Sequence, residues 1–204
     1  MTKIFREYRK SQGRLVTFRE KLATNPNVDL LVGSPDIWAL LPPMTFVPEL
    51  QKAGIQRMLW SNGGTAEEID FLNNNVSDVL TSEYDTYQGS MDPNNFQYLP
   101  KIQSYWTSDA FPDEIVYNSS GGRVHGWPVL GKDGKTWYDC GVICDKMALK
   151  YARNRTEEVL RTKHFKGRFI DTTTAATWRE CYHKDHPMTR TESREWRMKL
   201  LDLF

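Results

Sequence analysis

An α/β architecture with parallel strands is predicted by three features of this sequence. Short apolar runs alternate with stretches of helical spacing, and Gly, Pro, Asn and Ser punctuate most of the switches. The resulting order is strand, helix, strand, helix, strand, long loop, helix, strand, helix. Parallel strands need long crossover connections, usually helices, so this alternation is what a parallel sheet requires. A doubly wound sheet and a barrel both satisfy it. With 204 residues the chain can bury one sizeable core.

The elements follow in order. Residues 2–24 carry Phe5, Tyr8, Leu15, Phe18 and Leu22 at roughly helical spacing, interrupted by Gly13. That pattern predicts two short helices or one kinked helix. Residues 27–33 form a short apolar run that ends at Gly33-Ser34-Pro35, a strand followed by a turn. A helix is expected over 47–53, closed by Gly54 in the place a C-terminal glycine cap prefers. Residues 55–60 read as the second strand. Thr65 and Glu68 have capping-box spacing and open the next helix.

The third strand is placed at 77–82 and leads to Tyr84-Asp85-Thr86-Tyr87. An excursion over 88–139 holds most of the Gly, Pro, Asn and Trp residues. A hairpin is expected in it, 114–118 with 123–128 around Ser119-Ser120-Gly121-Gly122. Residues 140–143 are short and apolar, 145–164 are the longest helix, and 166–171 are the fourth strand. Thr189 and Glu192 cap the last helix, which runs to Phe204. Its apolar ending suggests a chain that continues, because a complete eight-stranded barrel takes about 250 residues. About four βα units and a long inserted loop are visible.

Bulk properties exclude several classes of function. Twenty-seven basic and 26 acidic side chains leave a net charge of +1, so no basic excess exists to hold a phosphate backbone, and nucleic acid is not an expected partner. No apolar run reaches the ~20 residues of a membrane helix, and the basic start lacks a signal peptide's apolar region. Cys140, Cys144 and Cys181 are an odd set with no CxxC pair. Free thiols fit a reducing compartment, which favours the cytoplasm. Seven Trp and nine Tyr are many for this length, and several stand among polar loop residues, where rings can stack on sugars as well as fill cores.

In parallel α/β folds the loops after the strands' C-terminal ends line the active site. The rule selects Ser34-Pro35-Asp36, Ser61-Asn62-Gly63-Gly64, the 84–87 segment and Asp171-Thr172-Thr173-Thr174. Asp171 is the best single catalytic candidate, a strand-end carboxylate followed by hydroxyls that could orient it. An Asp that merely caps the following loop has the same appearance. Asp85 and Tyr87 pair a carboxylate with a stacking ring, a combination that suits the hydroxyl edge and apolar face of a carbohydrate. Trp106, beside Asp109, repeats that theme. Cys181, His183 and His186, with Glu180 and Asp185, are dense in potential metal ligands. Their spacing matches neither HExxH nor paired CxxC knuckles, so no metal and no cofactor are expected. Glu180 and His186 are assigned instead to hydrogen bonding of substrate or loop.

The stretch Gly167-Arg168-Phe169-Ile170-Asp171-Thr172-Thr173-Thr174-Ala175, with Arg179-Glu180-Cys181-Tyr182 and His186-Pro187-Met188-Thr189-Arg190, resembles the catalytic core of bacterial α-N-acetylgalactosaminidases of glycoside hydrolase family 129, distantly related to family 101. Weaker matches are Leu31-Val32-Gly33-Ser34-Pro35, the 84–87 strand end and Gly126-Trp127-Pro128. The resemblance spans most of the chain, with 171–190 its distinctive part. It implies a (β/α)8 barrel, partial here over 1–204, that acts with retention on α-linked galacto-configured sugars. It further implies that Asp171 is the nucleophile, with a glutamate on the next barrel strand as acid/base.

Retention needs two carboxyl groups ~5–5.5 Å apart, and this sequence stops in the helix before that strand. Little or no hydrolysis is therefore expected of the 204 residues alone. Turnover of a 4-nitrophenyl α-N-acetylgalactosaminide that Asp171→Asn abolishes would contradict this. The rival readings are a non-catalytic carbohydrate-binding or assembly module and a metal-dependent hydrolase using the 180–186 cluster. Self-association through exposed strand edges is also expected.

Overall fold

A computed structural model describes residues 7, 10, 11, 13 and 16–204. The expected helical positions Phe5, Tyr8 and Leu15 lie outside the described residues. The chain divides into two compact units, Met1–Ser82 and Glu83–Phe204. Strand and helix alternate as the sequence predicts, in a mixed α/β fold with a parallel sheet.

In the first unit, α1 (Phe18–Thr24) starts at a capping box. Thr17 Oγ accepts from the Glu20 N–H, and the Glu20 carboxylate accepts from the Thr17 N–H at 2.7 Å. The run 27–33 is not a strand. It lies mostly in a 3₁₀ helix, Pro26–Leu31. Asn25 Oδ1 accepts from the Asn27 N–H at 3.0 Å and Pro26 fits the first turn, so local capping prevails over the apolar pattern. The first strand follows as β1 (Asp36–Ile37).

Helix α2 (Pro43–Lys52) begins earlier than its apolar spacing suggests, because Pro43 is pre-set for a first helical turn. Gly54 follows it at φ 98°, a conformation glycine adopts without a Cβ penalty. Strand β2 (Met58–Trp60), α3 (Ala66–Asn75) and β3 (Val79–Asp85) complete this part. Parallel register sets Asp36 beside Leu59, Met58 beside Val79 and Trp60 beside Thr81. Val47, Met58, Trp60, Ile69, Leu72, Val79 and Leu80 are buried in this unit. The Trp60 indole N–H donates to Gly63 O at 2.7 Å, which removes the cost of burying it.

In the parallel sheet the neighbour of β3 on its other side is β7 (Gly167–Ile170). Three further strands, β4 (Gly89–Ser90), β5 (His125–Leu130) and β6 (Trp137–Val142), form an antiparallel sheet in the order β4-β6-β5. The hairpin expected around 119–122 forms at its tip. Tyr117 bridges Arg123, and the Val124 N–H donates to Val116 O at 2.8 Å. From His125 onward the chain pairs with β6 instead, in a second hairpin whose turn is closed by the Gly131 N–H donating to Thr136 O at 2.7 Å, with Gly134 at φ 67°.

The two long helices are α4 (Asp145–Thr162) and α5 (Arg190–Leu201). Ala148 and Ala152 of α4 share a core with Leu200 of α5, Tyr87, Ile115 and Ile143. Small side chains on that face of α4 allow close helix packing. Among the described residues, no helix is long and apolar enough to cross a membrane.

Candidate functional site

Asp171 follows directly after β7 and is anchored by its backbone, with its N–H donating to Asp85 O at 2.9 Å. The chain then turns sharply. Thr172 has φ 62°, and the Thr173 N–H donates back to Asp171 O at 2.8 Å, a bond from one residue to the next but one. A positive φ is strained for a β-branched residue, and such strain persists only where the surroundings over-determine it. Here Thr172 Oγ lies 3.4 Å from Thr86 Oγ. The buried guanidinium of Arg197, on α5, holds the outer part of the loop. It donates to Ala176 O at 2.5 Å and to Thr177 O at 2.8 Å.

The Tyr84 hydroxyl donates to Asp171 Oδ2 at 2.8 Å. Tyr84 is itself fixed between Phe169, stacked at 6.0 Å, and Tyr105, edge-on at 5.2 Å. Burial first, and then the hydrogen bond to Asp171, push the Tyr84 phenol well above its ordinary range, so it remains a donor at physiological pH.

The cavity beside Asp171 has a volume of about 790 Å³ and is walled by Tyr84, Tyr105, Trp106, Trp127, Thr172 and Arg179, among others. Among the described residues, Asp171 is the one carboxylate that lines it. Trp127, on β5, is 82% exposed, an unusual condition for so large an apolar ring and one that suits a stacking platform. Arg179 donates to Gln88 Oε1 at 2.6 Å. Gln88 in turn donates to Asp145 Oδ1 at 3.1 Å, and Asp145 accepts from Ser193 at 2.6 Å and Arg197 at 3.0 Å. Burial, with the charge of Arg197 second, lowers the Arg179 pKa from its ordinary value.

The other residues singled out from the sequence divide into two groups. Trp106 lines the cavity with its ring stacked on Phe96 at 6.4 Å. Asp85 lies behind that wall, 1% exposed. It is bound by the guanidinium of Arg155, by Arg168 at 2.7 Å, by the Tyr87 hydroxyl at 2.8 Å and by the Thr86 N–H at 2.8 Å. Tyr87 is fully buried beside it. Glu180 is exposed, accepts from the Tyr182 hydroxyl at 2.9 Å and faces Arg190 at 3.5 Å, away from the cavity lining. His186 is buried next to Cys144 and Cys181 and is also absent from that lining.

Sequence reasoning did not single out Tyr105, and it quoted Arg179 only within a motif, without a site role. Both come from irregular segments where periodicity carries no information, and only the ring's place among polar residues hinted at Tyr105.

No family model matches this sequence, and no curated protein matches it. Among solved structures, the chain is similar to the α-N-acetylgalactosaminidase NagBb from Bifidobacterium bifidum. For its GalNAc complex the identity is 19% and the TM-score 0.68, over 98% of this chain and 37% of that one. The ligand-free form gives 18% and 0.68, with 38% of that chain covered. The quadruple mutant gives 18% and 0.69 over the same shares. The likeness is one of fold, a glycosidase-like α/β arrangement, and the chain spans well under half the length of the structures it matches.

Proposed function

We propose that this chain carries the nucleophile and sugar-binding wall of a retaining α-glycosidase site, on residues 1–204 as part of a (β/α)8 catalytic barrel of the family 129 kind. The sugar is galacto-configured and α-linked, N-acetylgalactosamine being the best candidate. One observation carries the reading: the strand-end carboxylate of Asp171 is the acid on an aromatic-walled cavity of about 790 Å³. The fold shared with a GalNAc-bound glycosidase supports it.

In the first step the Asp171 carboxylate attacks the anomeric carbon as the glycosidic bond breaks. The departing oxygen takes a proton from a second carboxylic acid, which later deprotonates the water that releases the sugar. Tyr84 holds Oδ2, so Oδ1 is the attacking oxygen, oriented by a charge-assisted hydrogen bond on its twin. Trp127 offers a face to the apolar side of the ring, the largely buried Trp106 contributes the part of its ring that lines the cavity, and Arg179 offers donors to the sugar hydroxyls. Asp85, Tyr87 and the Asp145 network hold these groups from behind, while Glu180 and His186 order the loop after β7. No second carboxyl group among the described residues lines the cavity, so this chain contributes attack and binding rather than proton donation.

That single acid also favours a second reading, a carbohydrate-binding module without hydrolysis. Titration calorimetry with N-acetylgalactosamine and its C4 epimer N-acetylglucosamine tests the common claim. Saturable binding of the first, weakened about threefold to tenfold by Trp127→Ala, is expected for loss of one aromatic contact. Equal binding of the two epimers, or none of either, would refute a galacto-configured site.

A further inference from the structure

We propose that Cys144, Cys181 and His186 form a binding site for a soft divalent metal of the zinc type. Such an ion would fasten the loop after β7 to the start of α4. The three ligand atoms lie within 4.8 Å of one another, and all three residues are buried. A tetrahedral zinc with Zn–S of about 2.3 Å and Zn–N of about 2.0 Å sets its ligand atoms roughly 3.5–3.8 Å apart. Cys181 Sγ and His186 Nδ1 are already 3.4 Å apart, so modest side-chain rotations complete the geometry.

The hydrogen bonds around the cluster point the same way. His186 Nε2 lies 2.8 Å from the Asp113 carbonyl oxygen, which can only accept. The ring proton therefore sits on Nε2, and Nδ1 presents its lone pair toward the sulfurs. Metal-bound histidines are held in this manner, with the remote N–H on a carbonyl or carboxylate. The Tyr117 N–H donates to Cys181 Sγ at 3.5 Å, a contact that suits a thiolate. Val116, Val142 and Met188 pack around the sulfurs, and the His183 ring stacks on His186 at 4.1 Å. Two thiolates balance a divalent charge, so the loaded site is neutral and its burial is not penalised as a lone ion's would be. Met188 Sδ, 3.8 Å from Cys144 Sγ, or a water can take the fourth position. Thiolate with imidazole selects zinc over calcium or magnesium.

The consequence is mechanical. Cys181 and Met188 pair with each other across a short antiparallel bridge, and Thr189 then caps α5. An ion joining Cys144, the N-cap residue of α4, to this bridge fixes both helix starts. Linear motif spacing does not reveal the site, because Cys144 reaches it from a distant part of the sequence.

The test uses the chain purified under reducing conditions, stripped with a chelator and titrated with cobalt(II). One equivalent should bind, with a thiolate-to-cobalt charge-transfer band and the intense visible bands of a tetrahedral site. Zinc should displace the cobalt and raise the unfolding temperature. Cys181→Ser should weaken the charge-transfer band, whereas Cys140→Ser, a buried thiol outside the cluster, should keep it. If Cys181→Ser does not fold, the wild-type spectrum alone decides. Weak octahedral bands, no saturable binding, or a Cys144–Cys181 disulfide in the mass spectrum would overturn the proposal.

Discussion

Asp85 and Asp171 are both acids at the C-terminal ends of strands, yet their surroundings differ sharply. Asp85 is enclosed by two guanidiniums and a phenol, whereas Asp171 has one phenol and a cavity. Removing the charge of Asp85 leaves Arg155 and Arg168 uncompensated, and breaking a buried pair in this way costs about 3–5 kcal/mol. Asp85→Asn should lose that much stability in urea denaturation. A variant with wild-type stability and abolished sugar binding would instead assign Asp85 to direct substrate contact. The sequence places both acids at strand ends, which made them candidates. It could not separate them, because Arg155 and Arg168 arrive from α4 and β7 and nothing local to Asp85 reports their approach.

Helix starts are the elements most legible in this sequence. The capping boxes at Thr65 and Thr189 form as read, because each is a contract among four consecutive residues that needs no distant partner. Thr189→Ala removes the acceptor for the Glu192 N–H at 3.2 Å and should lower stability by about 1 kcal/mol in denaturant unfolding. No change would mean that α5 is held by packing alone. The strands were less legible. Residues 27–33 are apolar like a strand, but Asn25 and Pro26 close them into a 3₁₀ helix. The antiparallel sheet depends on pairing between β4 and β6, which hydrophobic period does not encode. Arg197 belongs to this scale too. From α5 it holds carbonyls of the loop after β7, so Arg197→Met should weaken sugar binding while Asp171 and its Tyr84 partner remain in place.

For the chain as a whole, buried phenols make stability fall at alkaline pH. Tyr84, Tyr87 and Tyr151 are all pushed well above the ordinary value, each chiefly by burial. Unfolding frees them to ionise near pH 10, so the unfolded chain binds fewer protons than the native one above that value. Stability is thus intact below about pH 10 and declines as pH rises beyond it. Ultraviolet absorbance should show these phenols ionising together with the loss of circular dichroism. Ionisation of all tyrosines before unfolding would contradict the burial.

Self-association is expected from sequence through exposed strand edges, and exposed apolar side chains in the first unit are a further place to test for it. Leu31, Val32, Trp38, Leu40 and Leu41 are each more than half exposed. Light scattering should show mass rising with concentration, and a constant monomer mass would argue against it.

The central claim is that Asp171 is a glycosidase nucleophile, and a covalent probe tests it most directly. An α-galactosyl fluoride slowed by a second fluorine on the ring loses fluoride without help from a proton donor, so it reports which carboxylate attacks even where no acid assists. The account predicts one adduct per chain, mapped by peptide mass spectrometry to Asp171, suppressed by N-acetylgalactosamine and absent from Asp171→Asn. An adduct on Glu180, Asp85 or any other acid, or no adduct in a chain that binds the sugar, would contradict it.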